Sequence, residues 1–366
     1  MTHTALAAVL CTTGDPMQVQ EITLAEPGPG EVLVRTAVTG ICGTDLHFAD
    51  GRIPYPTPTV LGHEAAGTVE ATGPDVHDIT PGQRVIVCDQ TFCGRCAHCL
   101  SGQMVYCTDA TAKQRQRHRL RIDDRPARQY LGVAALAELM LVDANNLIPI
   151  ADDLSFEAAA LLSCCLTTGL ATVFNVARPA PGSGVAVFGC GGVGLGAIQA
   201  ARIAGVAQII AVDPQQHRRD FAATVGATAT IDPTHTDPVD AILTATGGVG
   251  VDTAIEAVGS PATTGQAFAV LAPGGRATVL GMLPAGADIQ LPARLLRQGR
   301  SIGGTVMGSV RTRADIPRYA DYAQRGVLQT QELITSRRPL TEVNEAFADT
   351  RARRGVRAVI TFKPPS

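Results

Sequence analysis

The chain has no tryptophan, and only five tyrosines and nine phenylalanines among its 366 residues. Lysine is almost missing too: Lys113 and Lys363 stand against twenty-eight arginines, a bias that codon usage in a GC-rich genome produces without functional cause. The formal net charge is −3, which removes the electrostatic case for nucleic acid or an anionic membrane as partner. The one basic run, "TDATAKQRQRHRLRIDDRPARQ" at residues 108–129, has no aromatic rings interleaved with its charges. It therefore reads as a solvated, mobile surface loop rather than a nucleic-acid stripe. No apolar run reaches membrane-spanning length, and the start "MTHTALAAVLCTTGDP" lacks a basic n-region. The expectation is a cytoplasmic protein.

What is present is thiol. Ten cysteines in a compartment that keeps thiols reduced call for metal or chemistry rather than disulfides. Four of them, Cys93, Cys96, Cys99 and Cys107, lie in "CGRCAHCLSGQMVYC" with spacing C-x2-C-x2-C-x7-C. Four thiolates close a tetrahedral shell around zinc with no position left for water, so this set reads as a structural zinc site. A redox reading of the overlapping C-x-x-C pairs fits less well, because thioredoxin-like sites carry a single pair at a strand-to-helix turn. His98 reads as a loop residue between ligands.

A second set is dispersed. "GICGTDLHFADG" supplies Cys42, "VLGHEAAGTV" supplies His63 and Glu64, and "LLSCCLTTGLATV" offers Cys164 or Cys165. Two cysteines and a histidine, with a fourth position open, are the ligands of a catalytic zinc. Each alone is also what an ordinary buried cysteine or structural histidine looks like.

The third constellation is Gly189-Cys-Gly191-Gly192-Val193-Gly194, a G-x-G-x-x-G between the apolar run Val185–Phe188 and a helix-prone stretch from Val193 to Ala204. A second apolar run, Ile209–Val212, ends at Asp213. The glycines let the backbone turn tightly and approach a pyrophosphate at a helix N-terminus, and the acid accepts hydrogen bonds from ribose hydroxyls. Asp213 would repel a 2′-phosphate, so NAD is expected over NADP, although Arg218 and Arg219 are placed to reach one. "VDTAIEAVG", "GGRATVLGM" and "RSIGGTV" continue the strand pattern. The fold class is α/β: a doubly wound parallel sheet of the Rossmann kind, preceded by an irregular, Gly- and Pro-rich β domain with strands such as "EVLVRTAVTG" and "AAGTVEATG". The divisions are 1–166, 167–305 and a return over 306–366, with "CLTTGLATVFNVA" beginning the passage between domains.

"GHEAAGTV", the four-cysteine loop, "FGCGGVGLGAIQAA" and the terminal "RRGVRAVITF" together resemble the zinc-dependent medium-chain alcohol dehydrogenases along nearly the whole chain. "RPARQYLGVAALAELMLV" is similar to the longer, typically dimeric branch that includes animal-type alcohol dehydrogenases and formaldehyde dehydrogenases. The resemblance implies a GroES-like catalytic domain, two zinc ions per chain, NAD, a homodimer, and reversible hydride transfer between a small alcohol and NAD to give an aldehyde or ketone. It implies Cys164 as third ligand, counting back from Gly169. Thr44 then matches the hydroxyl beside the alcohol and His47 the far end of a proton relay. Asp45 matches the acid that orients His63, Glu64 a buried carboxylate near the metal, and Arg357 an arginine reaching the pyrophosphate. Thr168 and Val193 match residues near the nicotinamide.

Several positions depart from the family. Gly43 replaces an Arg or His that contacts the pyrophosphate, and Ile53 and Thr111 replace glutathione-binding residues, which argues against glutathione while leaving a mycothiol-type formaldehyde dehydrogenase. The substrate pocket is expected to involve Leu280, Met282 and Asp89, the last where relatives carry an aromatic. With so few rings the pocket is expected to lack an aromatic wall, and Asp89 would favour a substrate bearing hydroxyl or amine groups; the alternative is that Asp89 faces solvent at a strand end. A nicotinoprotein with tightly held NAD, and a non-catalytic NAD-binding protein, are the other readings.

Overall fold

The computed structural model describes residues 2–109 and 119–363. The chain forms two compact units, Met1–Cys164 with Arg311–Ser366, and Cys165–Val310. The first opens with ten strands: β1 (Thr2–Leu10), β2 (Gln18–Ala25), β3 (Glu31–Gly40), β4 (Thr59–Val60), β5 (Glu64–Thr72), β6 (Arg84–Val87), β7 (Leu120–Ile122), β8 (Arg125–Gln129), β9 (Leu139–Asp143) and β10 (Leu147–Pro149). Five of them close a barrel in the order β1-β2-β7-β8-β4. Alternation along β2 turns Ile22 and Leu24 inward, where they meet Leu10, Leu120 and Tyr130.

β7 and β8 correct the reading of residues 108–129 as a mobile loop. Leu120, Ile122, Ala127 and Gln129 are buried and pair into the barrel, while 110–118 lie outside the described residues. The charges that dominate this stretch hide a period of two that spans only a few residues. Closure of the barrel supplies the partners that such short strands lack alone.

The second unit is a six-stranded sheet: β11 (Gly184–Phe188), β12 (Gln208–Val212), β13 (Ala229–Ile231), β14 (Val251–Glu256), β15 (Leu271–Val279) and β16 (Ser301–Gly304), in the order β13-β12-β11-β14-β15-β16. Every pairing is parallel. Val185–Phe188 and Ile209–Val212 are buried throughout, as continuous apolar runs in a sheet covered on both faces require. Strand order reverses between β11 and β14, the position where doubly wound sheets bind ligands at their carboxyl ends. The expected helix runs Gly192–Ile203. It lies so close to the strand below that a Cβ on Gly194 would overlap the carbonyl of Gly189.

Where the sequence divides the chain after residues 166 and 305, the structure divides it after Cys164 and Val310. The helix Cys165–Ala171 packs through Gly169 onto the backbone of Val193, Gly196 and Ala197, and Gly308 packs on Ala171 and Thr172. These contacts tie both flanks to the second unit. The chain then returns with β17 (Ile334–Pro339) and β18 (Arg357–Thr361), completing a seven-stranded sheet, β10-β6-β5-β3-β18-β17, with β9 against β3. Val32, Val34, Val69, Val85, Val87 and Leu147 form part of its core. Among the described residues no single helix is long and apolar enough to cross a membrane.

Candidate active site

Sheet register builds the first cluster. β3 and β5 are antiparallel with Gly40 opposite Glu64, so the chain leaving β3 at Cys42 and the chain entering β5 at His63 meet at one end of the sheet. β18 lies on the other side of β3, with Val359 opposite Gly40, and its first residue, Arg357, extends to the same end. The helix Phe156–Ser163, capped by the Ser155 hydroxyl, packs on β3 and β5 and stops at Cys164, whose φ of −140° and ψ of −74° are not helical. Donor atoms of Cys42, His63, Glu64 and Cys164 all lie within 4.8 Å of one another, and all four residues are buried. Cys164 rather than Cys165 stands in this cluster.

Asp45 sets the geometry. It is fully buried; Oδ2 accepts the Cys42 N–H at 3.0 Å, and Oδ1 accepts the Gly62 N–H at 3.2 Å and Nδ1 of His63 at 3.1 Å. Pinning Nδ1 leaves the other imidazole nitrogen to face the cluster. The Cys164 thiol donates to the Cys42 sulfur, holding Cys42 well below the usual thiol range. Glu64 gives one oxygen to Arg357 and leaves Oε1 without a partner among the described residues; burial pushes its carboxyl up to about 8, against the pull of the Arg357 charge. A Cβ on Gly40 would strike this ion pair. Two sulfurs and an imidazole, converging with one buried carboxylate, fit a zinc ion that keeps a fourth position open.

Thr44 and His47 share the short helix Gly43–Ala49 that starts from Cys42, and both are half-buried. Burial and the Arg52 charge lower the His47 pKa. Asp89 follows β6, which pairs with β5 so that Val87 is opposite Ala65. Continued for two residues, that register puts Asp89 opposite His63. Asp89 is half-buried, its Oδ1 accepts Nε2 of Gln90 at 3.1 Å, and burial pushes its carboxyl upward while the His63 charge opposes. The sequence reading did not single out Phe48, Tyr55 and Tyr130, which pack edge-to-face at centroid distances of 4.8 to 5.5 Å. Tyr130 sets its ring 5.8 Å from that of His63 and keeps a buried hydroxyl without a partner among the described residues. Their signal in sequence is slight, because each sits in a different segment.

The second cluster is Cys93, Cys96, Cys99 and Cys107. Sulfur separations are 3.9 Å for Cys93–Cys99, 3.5 Å for Cys96–Cys99 and 3.9 Å for Cys96–Cys107. Zinc–sulfur bonds of about 2.3 Å in a tetrahedron put sulfurs about 3.8 Å apart, so the four fit one ion. None is in a disulfide. The backbone N–H groups of Arg95 and Cys96 donate to Cys93 and lower its pKa, and those of Cys99 and Thr108 bring Cys96 down to about 6. Burial pushes Cys99 up to about 12. His98 turns away, toward Gln103 and Tyr106.

In the second unit, Gly189 takes φ +91°, and a Cβ there would meet Val258 at 2.8 Å. Gly191 precedes the helix that begins at Gly192 and Val193, with open space where its Cβ would be. Asp213 closes this turn: Oδ2 accepts the Cys190 N–H and Oδ1 the Gln215 N–H, each at 2.8 Å. Each oxygen keeps a lone pair for a ribose hydroxyl. Arg219 is buried, bound to the Asp213 carbonyl at 2.7 Å and to Asp232 at 2.9 Å, so it is not available to a phosphate. Arg218 is half-buried; burial pushes the neighbouring Cys190 thiol up, with the Arg218 charge opposing. Thr168 is buried, its carbonyl accepting from the Thr172 hydroxyl. Leu280 and Met282 belong to this unit, just past β15, where the N–H groups of Leu280 and Gly281 bind the Glu256 carbonyl. Glu256, which the sequence reading missed, is buried and ties Val258, Gly259 and Thr263 together through Oε1.

Known proteins align with both units. The family described as "Alcohol dehydrogenase GroES-like domain" matches residues 28–152, and "Zinc-binding dehydrogenase" matches 192–325. An S-(hydroxymethyl)glutathione dehydrogenase from Synechocystis is 33% identical over 365 residues, covering 97% of this chain and 99% of its own. The crystal structure of benzyl alcohol dehydrogenase from Acinetobacter calcoaceticus superposes with a TM-score of 0.93 at 31% identity, covering 99% of this chain and 100% of that one. A zinc-binding dehydrogenase from Sinorhizobium meliloti, bound to NADP, gives a TM-score of 0.83 at 30% identity over 98% of this chain and 100% of that one. The chain belongs to the zinc-dependent medium-chain alcohol dehydrogenase family, and its GroES-like and Rossmann units are those of that family.

Proposed function

We infer that the protein is an alcohol dehydrogenase that moves hydride reversibly between an alcohol and NAD, giving an aldehyde or ketone. The observation that carries this is the buried set Cys42, His63 and Cys164, with Asp45 holding the histidine, in a chain that also has the Gly189–Gly194 turn. Zinc on those three ligands supplies Lewis acidity that lowers the pKa of an alcohol hydroxyl, and NAD supplies the hydride acceptor. Asp45 fixes the ring of His63. Arg357 holds the Glu64 carboxyl in place, besides the pyrophosphate contact that family resemblance implies. Thr44 accepts a hydrogen bond from the alcohol hydroxyl. His47, whose pKa burial and the Arg52 charge lower, takes the proton toward solvent. The four-cysteine loop holds a second zinc for structure alone. A panel of primary, secondary and benzylic alcohols and thiol–formaldehyde adducts, followed by reduced-cofactor absorbance, tests the reading: turnover of at least one class is expected, and silence across all of them contradicts it.

Asp213 supports NAD, since a 2′-phosphate would meet its carboxylate and Arg219 is committed elsewhere. Asp213→Gly is expected to raise the ratio of kcat/KM for NADP over NAD by about tenfold or more. A ratio already favouring NADP in the unmodified protein overturns the assignment. The protein acts on its own small-molecule substrate as a homodimer in this reading. β16 is the last strand of its sheet, and Ile289, Leu296 and Val306 in the second unit are apolar and exposed. Light scattering is expected to give twice the 38.0 kDa chain mass; a monomer at micromolar concentration contradicts it.

A further inference from the structure

His47, which the proposed reaction uses to pass a proton toward solvent, lies in the last turn of the helix Gly43–Ala49. Asp50 caps that helix with its N–H on the Leu46 carbonyl at 2.9 Å. An anion at a helix C-terminus opposes the helix dipole, so its place there needs a compensating contact. Arg351 supplies it. This last residue of the helix Val343–Arg351 grips the Asp50 carboxylate with Nη2 on Oδ1 at 2.6 Å and Nε on Oδ2 at 3.4 Å. Gly51, at φ +71°, then turns the chain back, and the Ile53 N–H donates to the His47 carbonyl at 3.1 Å. Arg52 is thereby brought beside the pair, its Nη2 3.9 Å from Asp50 Oδ2. His47 and Asp50, three residues apart on one helical turn, share a face.

Burial and the Arg52 charge lower the His47 pKa, while the Cys42 and Asp50 charges raise it. Other charged groups on the elements packed around this helix are committed or turned to solvent. On the helix Val343–Arg351, Asp349 is taken by Arg338 and Arg354, and Glu345 is exposed. Asp15 is exposed in the turn whose Gly14 N–H binds the Ala49 carbonyl. Asp45, on the helix itself, is buried and bound to His63. We propose that Arg351 is a positioning residue for the reaction: by holding Asp50 and offsetting its charge, together with Arg52, it sets the charge beside His47 and so the pH at which alcohol oxidation begins. The proposal rests on reading His47 as the outer end of the proton path. His47 takes a proton only when neutral, so kcat/KM for an alcohol rises with pH as the imidazole loses its charge. Asp50 favours the charged ring and delays that rise; Arg351 and Arg52 favour the neutral ring and advance it.

Asp50→Asn and Arg351→Gln break the same ion pair, so a pair that serves structure alone gives both variants the same behaviour. The charge role gives them opposite behaviour. With the zinc-loaded chain and NAD, the half-maximal pH of kcat/KM is expected to fall by about half a unit in Asp50→Asn, and to rise by about half a unit in Arg351→Gln and in Arg52→Gln. All three shifts should shrink in about 0.5 M salt, because these charges lie near solvent. NMR of 13C-labelled imidazoles, with His47 recognised among the eight histidines by its loss in His47→Gln, should show the same displacements in its titration without any turnover. Shifts of one sign in Asp50→Asn and Arg351→Gln, or an unmoved NMR titration, overturn the proposal and leave alcohol oxidation standing. NMR displacements with no matching kinetic ones overturn His47 as the end of the proton path, and the proposal with it. No turnover of any alcohol by the unmodified protein overturns the function and the proposal together.

Discussion

Asp45→Asn is expected to weaken zinc at the Cys42–His63–Cys164 cluster and lower kcat/KM for alcohols by about 10- to 100-fold, the usual cost of removing the partner that orients a ligand histidine. Asparagine has the right size but only one acceptor oxygen. The wild-type carboxylate serves three donors, the N–H groups of Cys42 and Gly62 and the ring of His63, so at least one must go unmet at a fully buried position. His63→Ala, which removes the ligand itself, is expected to cost on the order of 10³-fold, about 4 kcal/mol of barrier. Zinc in the four-cysteine loop should be untouched by either change. A variant with full activity and unchanged resistance to chelators would show that Asp45 does not position a ligand.

Cys96→Ser is expected to remove one zinc per chain and to lower the apparent melting temperature by about 5 °C or more. The cluster inside that loop joins Phe92 and Met104 to the four cysteines, and Val105 is buried as well. Without metal these few apolar side chains make too small a core to hold it, and the backbone N–H groups now aimed at Cys93 lose the thiolate that rewards them. The cofactor turn, built wholly from residues of the second unit, should still bind dinucleotide. A variant that keeps both metals and its full thermal stability would refute a structural site.

How much of this could be read in advance depended on how far apart in the chain the partners lie. Cys93 to Cys107 and Gly189 to Asp213 declare themselves because spacing within one segment carries the chemistry. Cys164 against Cys165 could not be settled by counting alone; the end of the Phe156–Ser163 helix decides which thiol turns back to the sheet. The Glu64–Arg357 pair joins residues 293 positions apart and exists only because β18 lies beside β3. Strands β7 and β8 hid beneath arginines, whose charge outweighed two or three inward apolar residues in any composition window. The rings of Phe48, Tyr55 and Tyr130 meet only after the barrel closes.

Transfer of deuterium from an alcohol labelled on its carbinol carbon tests the central claim most directly. With NAD and the zinc-loaded protein, mass spectrometry of the reduced dinucleotide should find the label on the nicotinamide ring, since hydride passes from carbon to carbon without exchange. Label that appears in solvent, or a dinucleotide that stays oxidised while the protein holds two zinc ions, would contradict it.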